Sequence, residues 1–444
     1  MKKNILCLIL PAVFISVLSG CNNKEQADSF GPESWEQYRL NTSNNAVFTN
    51  DDTRKVTQNY KTDDEVRANP VVVGDNMYVG THNSGTLYSF DVFSGEENWQ
   101  QELPNWIHED AIYADDTVFV GYGNRKFEDA LHPDVRGTEE SGVAAFEAET
   151  GEQVWQYETP GEVMPAPAYQ EGKLYFATGD SKLYAVDAET GKLEWDLDLP
   201  GWASMSAPHI ENNILYVGAL DNLVAVDLEQ REIKWQEGKL GSVTDVPPAL
   251  SEDGIVMVTG AKMNPSLSKD ELYKKYGEHM PNLTFTLTEE DKMKYGDDDP
   301  NYHFIYAFNA ETGELLWKDL MGTGPDQDVP IPHTNTSGAV TITEDVAYVG
   351  SPYTKSMMAY QISSGEKIWE IKTNTSIKGA PAVKGEFVYF GDAEGTLYKV
   401  QADDGEIAEE EDVGGAFAPG GPIIINNTLF IGNQDHKVYT RSLE

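Results

Sequence analysis

Two short stretches carry the side chains best suited to recognition. LPNWIHED (103–110) and LPGWASMS (199–206) each place a Trp three residues after the Leu of a Leu-Pro turn. Trp106 and His108 in the first, with Trp202 and Met205 in the second, combine aromatic area, a titratable ring and a polarisable thioether. Such residue types are concentrated where one macromolecule grips another. Two readings stay open: these four form part of a partner-binding surface, or the indoles plug an interior as local core. Cys21 offers a different chemistry. It follows an apolar run from Ile5 to Leu18, itself preceded by Lys2 and Lys3, and closes the box Leu18-Ser19-Gly20-Cys21. That is the pattern of a secretory signal (1–20) whose cleavage leaves an N-terminal Cys21 for lipid attachment, palmitate among the acyl chains. Two acyl chains anchor a protein stably where one does not.

Further chemistry is sparse. The other cysteine, Cys7, leaves with the signal, so the mature chain has no internal disulfide and no C-x-x-C-H haem site. G-x-S-x-G and H-E-x-x-H do not occur. The acidic runs DDD (297–299) and PDQD (325–328) lack the spaced oxygens and glycine of an EF-hand loop. His303 and His333 fall in separate repeats. No catalytic residue, metal ligand or cofactor is expected.

The formal charge of −42 narrows the partners. Losing Lys2 and Lys3 leaves 74 acidic and 30 basic residues. Nothing in such a chain neutralises phosphates, which disfavours nucleic acid and anionic headgroups. A saline or alkaline habitat accounts for the charge without any function, since salt screens the self-repulsion.

The elements that must position these residues are β-strands. KLYFATG (173–179) and SKLYAVD (181–187) alternate with period two across a tight turn, and DAETGK supplies the next turn. A short strand with a Pro near its start precedes each such unit, as in NPVVVG (69–74) and PAVKGE (381–386). Each unit therefore reads as four antiparallel strands, A to D. Trp99, Trp155, Trp195, Trp235, Trp317 and Trp369 stand four residues after a turn position held by Gly, or by Arg231 in one case. Their steps of 56, 40, 40, 82 and 52 residues place one large insertion at 261–302. A seventh unit has Glu409 where Trp is due. An eighth, GPIIINNTLFIGNQDHKVYTRSLE (421–444), stops after strand C. The spacing predicts an all-β, eight-bladed β-propeller of four-stranded antiparallel blades, with seven blades as the alternative. ESWEQYR (33–39), containing Trp35, is expected to be the N-terminal strand that completes the last blade and removes the open edges. Residues 21–32 read as a flexible tether and 33–444 as the propeller.

The recurring G-x-L-Y-A-x-D-x-x-T-G-x-x-x-W resembles the repeat of the pyrroloquinoline-quinone-type (PQQ-like) β-propellers, over nearly everything from residue 33 onward. That family includes quinoprotein dehydrogenases, the outer-membrane-assembly lipoprotein BamB and many lipoproteins of Gram-positive bacteria. The resemblance implies either a membrane-anchored extracytoplasmic scaffold, BamB-like, or a PQQ-dependent dehydrogenase. The quinoproteins are longer and hold a vicinal Cys pair against the cofactor; this chain has no such pair, which favours the scaffold. A monomer is expected, on the outer surface or in the periplasm, with envelope proteins or a cell-wall polymer as partner.

The long connections share one face. NRKFEDALHPDVRGTEES (124–141), 261–302 and SPYTK (351–355) interrupt B–C connections, and MGTGPDQDVPIPHTNTS (321–337) expands a D–A connection. Connections of this length in a compact fold are commonly functional. Within 261–302, SKDELYKKYGEH (268–279) and TEEDKMKYGDDD (288–299) open with helix-capping residues. They are expected to form two short helices, either a lid over that face or a decoration covering an edge.

Overall fold

Lys173–Ala177 and Lys182–Asp187 pair antiparallel, flanked by Ala168–Gln170 inside and Leu193–Asp198 outside. Their period-two alternation serves two faces at once. Leu174, Phe176, Tyr184 and Val186 pack toward the preceding blade, while Tyr175, Ala177, Leu183 and Ala185 pack toward the following one. Eight such sheets, at 71–102, 112–158, 168–198, 209–237, 249–324, 340–372, 382–412 and 423–442, make an eight-bladed propeller. This is a computed structural model that describes residues 29–126, 135–264, 274, 286–299, 301–324, 338–417 and 419–443. No helix among these residues is long and apolar enough to cross a membrane. Cys21 and the signal lie outside them.

The blade seams explain the tryptophan rhythm. One residue before each strand-D Trp the register slips by one, as between Ala185 and Val186 opposite Trp195 and Leu193. The bulge turns the indole onto the C–D turn of the next blade. Trp99, Trp155, Trp235 and Trp369 donate from Nε1 to Ala148, Ala188, Ala310 and Ala402 carbonyls at 2.9 Å, and Trp317 to Ile362 at 2.6 Å. The turn glycine must be glycine on two counts. Gly151 has φ 72°, and a Cβ there would lie 2.6 Å from the Trp99 ring. Arg231 takes that position beside Trp195, at φ 58°. Where Glu409 replaces Trp, it pairs instead with Lys399 at 3.0 Å and with Arg441 of the last blade.

The strand that closes the ring is not ESWEQYR. Tyr60–Lys61 pairs antiparallel with Val438 and Lys437 and is strand D of the last blade. Tyr60 does the work of the seam tryptophan: its ring is buried and its hydroxyl donates to the Val92 carbonyl, the counterpart of Ala148. Trp35 is also fully buried, but inside the ring, bridging Tyr113 on the inner strand of the second blade. A closing strand must reach the outer edge of a blade, and residues 33–39 are committed to the axis.

The segment around Trp35 is a ribbon that lines the channel and visits every blade in turn. It exchanges backbone bonds between Gly31, Pro32 and Gly74 of blade 1, then between Trp35 and Tyr113 of blade 2. The Glu36 carbonyl accepts from Tyr169 N at 2.7 Å and Gln37 Oε1 from Ile210 N at 3.2 Å. Thr42, Ser43 and Ala46 carbonyls accept from Leu250, Ile342 and Ile424, and Asn45 Oδ1 accepts from Val383 N. Two hubs hold it. Arg39 donates to Asn44 O (2.8 Å), Asn69 Oδ1 (3.1 Å), Pro381 O (3.0 Å) and Pro422 O (2.8 Å). Asn44 donates to Pro248 O and Val340 O, and its Oδ1 lies 2.8 Å from His209 Nε2. Gly74 lies in an A–B turn and Tyr113, Tyr169, Ile210, Val383 and Ile424 at the middle of their inner strands, so the ribbon crosses the channel along those strands, with Asn41, Thr42, Ser43 and Asn45 beside the A–B turns on the short-turn face.

The opposite face carries the long connections. Blade 5 strands extend through Ile255–Met263, Asn301–Asn309 and Leu315–Gly324. The second expected helix is present as α1 (Glu289–Tyr295), capped by Thr288 in a box with Asp291. Asp291 is buried and accepts from Lys262 Nζ (2.6 Å) and Lys318 Nζ (3.0 Å). Burial alone would raise its carboxyl; the two ammonium groups outweigh that and hold it at about 2. The first expected helix, 268–279, lies outside the described residues apart from Lys274.

Candidate binding site at the loop-face mouth of the channel

Six of the D–A connections turn inward and are each tied to their own blade by a backbone bond. His82 N, Gly123 N, Gly179 N, Leu220 N, Ala261 N and Ala393 N donate to the carbonyls of Glu65, Trp106, Glu162, Trp202, Ser242 and Ser376. These six residues are therefore equivalent positions around the mouth. Trp106 and Trp202 thus occupy corresponding places in blades 2 and 4, with Glu162 between them on blade 3. Two residues further in, the same register brings Arg67, His108, Met164, Ser204, Thr244 and Lys378 to one level.

The four residues singled out in the sequence all line this region, but in different states. Trp106 is half-buried, its ring 4.7 Å from His82 and with Lys126 Nζ 5.5 Å above it. His108 is buried against His82 at 4.8 Å, edge to face. Trp202 is 3% exposed and Met205 wholly buried. The Trp202 ring carries the Arg136 guanidinium at 4.8 Å.

Arg136 comes from the 124–141 connection and was not singled out by type or spacing. Its N–H donates to Gly179 O at 2.8 Å and its carbonyl accepts from Glu162 N at 2.9 Å, which pins the connection onto blade 3. The guanidinium then lies 3.7 Å from Glu162 and 3.6 Å from Asp245, all three buried. Burial pushes the Glu162 carboxyl well up, opposed by Arg136. The two distances are long for hydrogen bonds, so the pull of Arg136 is only partial and the upward direction stands. Glu162 Oε1 and Oε2, Asp245 Oδ2, Ser204 Oγ and His108 Nδ1 have no hydrogen-bond partner among the described residues.

Beneath them a second cluster joins mouth to ribbon. Asp110 Oδ1 accepts from Asn69 N and Nδ2, both at 2.8 Å, and Asn69 Oδ1 accepts from Arg39. Burial pushes Asp110 up to about 7, and pushes its neighbour Glu109 well up, with Asp110 and Asp245 adding repulsion. His82 is lowered to about 3 by burial and by Arg67, and His108 falls well below its ordinary value for the same reasons, so both rings are neutral near pH 7.

The propeller, its repeat and this mouth agree with what the chain is similar to. The family model described as outer membrane protein assembly factor BamB matches residues 31–163, 139–264 and 303–444. The chain belongs to this BamB family. A curated BamB from Burkholderia pseudomallei is 26% identical over 134 residues, 30% of this chain and 32% of that protein. Tetrathionate hydrolase from Acidithiobacillus ferrooxidans is 24% identical over 304 residues, 66% of this chain, so the chain spans about half (54%) of that enzyme. Among solved structures, BamB from Moraxella catarrhalis superposes with TM-score 0.60 at 15% identity, covering 87% of this chain and 99% of that one. Quinohemoprotein alcohol dehydrogenase from Comamonas testosteroni gives 0.63 at 14%, covering 93% and 80%. At these identities the superpositions show the fold alone.

The quinone cofactor of the dehydrogenases asks for an aromatic face and, beside it, metal ligands. Trp202 is buried, with the Arg136 guanidinium stacked on one face. No group of three His, Cys, Asp or Glu among the described residues is disposed to hold a metal ion.

Proposed function

We propose that the chain is a membrane-anchored, extracytoplasmic scaffold of BamB type whose loop-bearing face engages another protein of the cell envelope. One observation carries this reading: the path of the N-terminus. Ser29 and Phe30 lie against the A–B turn of blade 1, where Ser29 Oγ approaches Gly74 and Phe30 N donates to Asp75. Cys21 is eight residues earlier, a reach of at most roughly 28 Å. An acylated Cys21 therefore holds the short-turn, ribbon-sealed face toward the membrane and points the loop-bearing face away from it. Half-buried Trp106, with Lys126 above it, is the accessible aromatic anchor on that outer face; Trp202 is core. The closed ring leaves no blade without a fourth strand, in keeping with a monomer.

The test places a photo-crosslinking residue at Trp106 and another at Asn212 on the short-turn face, in native membranes. Capture of an envelope protein from position 106 alone, together with release of Cys21→Ser from the membrane fraction, supports the reading. Equal capture from Asn212, or capture of a wall polymer only, overturns the protein partner. Dye-linked alcohol oxidation after loading with PQQ and Ca²⁺ would establish the dehydrogenase instead.

A further inference from the structure

We propose that the seam between blades 3 and 4 holds a saccharide-binding cleft on the short-turn face, in which a neutral pyranose ring stacks against Trp195. Three other seams share one closure. In each, a strand-D Trp and a strand-B Tyr donate to the same carbonyl of the next blade: Trp99 and Tyr78 to Ala148, Trp235 and Tyr216 to Ala310, Trp369 and Tyr348 to Ala402. Trp195 and Tyr175 stand in the same relation, their ring centroids 5.9 Å apart like those of Trp99 and Tyr78. The corresponding acceptor is the Leu228 carbonyl, yet neither side chain hydrogen-bonds to it or to another described residue. The cause lies in the turn. At five seams a Cβ on the turn glycine would lie 2.6–2.9 Å from the indole. Arg231 fills that position here and brings a Cβ of its own, so the 227–231 turn cannot close on Trp195. What remains is a cleft of about 290 Å³ walled by Trp195, Tyr175, Leu228 and Arg231.

The lining suits a hydroxylated ring. The indole offers a flat apolar wall for the C–H face of a pyranose, with an N–H donor at its edge. The Tyr175 hydroxyl, pushed up to about 12 by burial and then by Glu194 and Glu171, is a second donor at neutral pH, and the Leu228 carbonyl is an acceptor. On the rim, Gln170 Nε2 donates to Asn213 Oδ1 at 2.5 Å, which fixes both amides and leaves Gln170 Oε1 and Asn213 Nδ2 for a ligand. Lys173 and Arg231 stand against Glu171 and Glu229 around the opening, so the two signs balance and neither a cation nor an anion is favoured over a neutral ligand. The volume lies at the small end of ligand pockets, which limits the occupant to about one ring. The cleft lies on the face opposite Trp106 and is independent of whatever the loop-bearing face engages.

Titration calorimetry and saturation-transfer NMR with methyl glucoside, methyl galactoside and N-acetylglucosamine test the cleft, with acyclic sorbitol as the control. The wild type should bind at least one of the three pyranoses and transfer saturation to the protons of one ring face. Arg231→Gly should restore the closed seam, so that binding falls tenfold or more while the protein melts no lower than wild type. That pairing separates a cleft lost by closure from one lost by unfolding. Gln170→Ala, on the rim, should weaken binding severalfold at an unchanged melting temperature. Binding of none of the three sugars, equal binding of sorbitol, or equal affinity in wild type and Arg231→Gly would overturn the site. Binding that survives Arg231→Gly but is lost in Trp106→Ala would move the sugar to the loop-bearing face and overturn it equally.

Discussion

The two mouths of the channel are built on opposite terms. On the short-turn face the ribbon binds all eight blades, and the side chains of Arg39, Asn44 and Asn45 meet backbone partners at 2.8–3.2 Å. On the loop face, Glu162, Asp245, Ser204 and His108 are as deeply buried but leave polar atoms with no partner among the described residues. A buried polar group without a partner is destabilising by about 1–3 kcal/mol. The first mouth is thus organised for stability, with Trp35 Nε1 its one such atom, and the second holds several groups that have no partner among the described residues. Such groups persist where they serve binding.

The largest effect should come from breaking the sealed mouth. Arg39→Ala leaves four acceptors and a buried cavity behind, and should destabilise by on the order of 3–5 kcal/mol. Ser204→Ala on the loop face removes an unpartnered hydroxyl and should be neutral or slightly stabilising. Thermal melts of the two variants side by side check the contrast, and equal losses would abolish it. Tyr60→Ala, which removes the closing seam, should lose about 3–5 kcal/mol as large buried aromatics do, with aggregation of the opened edge seen by light scattering.

A pH series sharpens the comparison where the two mouths meet. Asp110 is pushed up to about 7, above its ordinary 3.8, so the folded state binds its proton more tightly than the unfolded chain. Its contribution to stability is present below pH 4 and lost as pH rises through 7. Asp110→Asn keeps Oδ1 for the two Asn69 donors, so it should match wild type near pH 4 and melt higher at pH 8. Parallel melting profiles across that range would refute the shift. The smallest change concerns a seam. Arg231→Gly relieves a residue at φ 58° and opens the turn for Trp195, and should stabilise by up to about 1 kcal/mol in denaturant titrations.

The repeat, the number of blades and the shared face of the long connections were legible in the sequence because they are local. Period-two alternation, turn glycines and a Trp four residues later each follow from one blade and its neighbour. The same locality explains the error at Trp35. A Trp in a polar stretch near the N-terminus looks like a missing seam residue, whereas Tyr60, in QNYKT, shows no Trp and hardly any strand pattern. The amide-rich NTSNN (41–45) was the one available sign of the ribbon: short polar side chains suit a segment that must bond to inner-strand edges. At the mouth, Trp106 and Trp202 stood out by type, but Arg136 did not, because nothing in 124–141 states that its loop folds back onto blade 3.

By itself, then, the sequence determined the blade, its repetition and the face on which insertions gather, since each depends on contacts a few residues apart. Only the tertiary structure decided which strand closes the ring, what fills the axis and which charges meet there. Those contacts join residues separated by as many as 396 positions, as Phe30 and Asn426 are. Bringing them together depends on closing the ring, and no local pattern of side chains encodes which groups will then face one another across its centre.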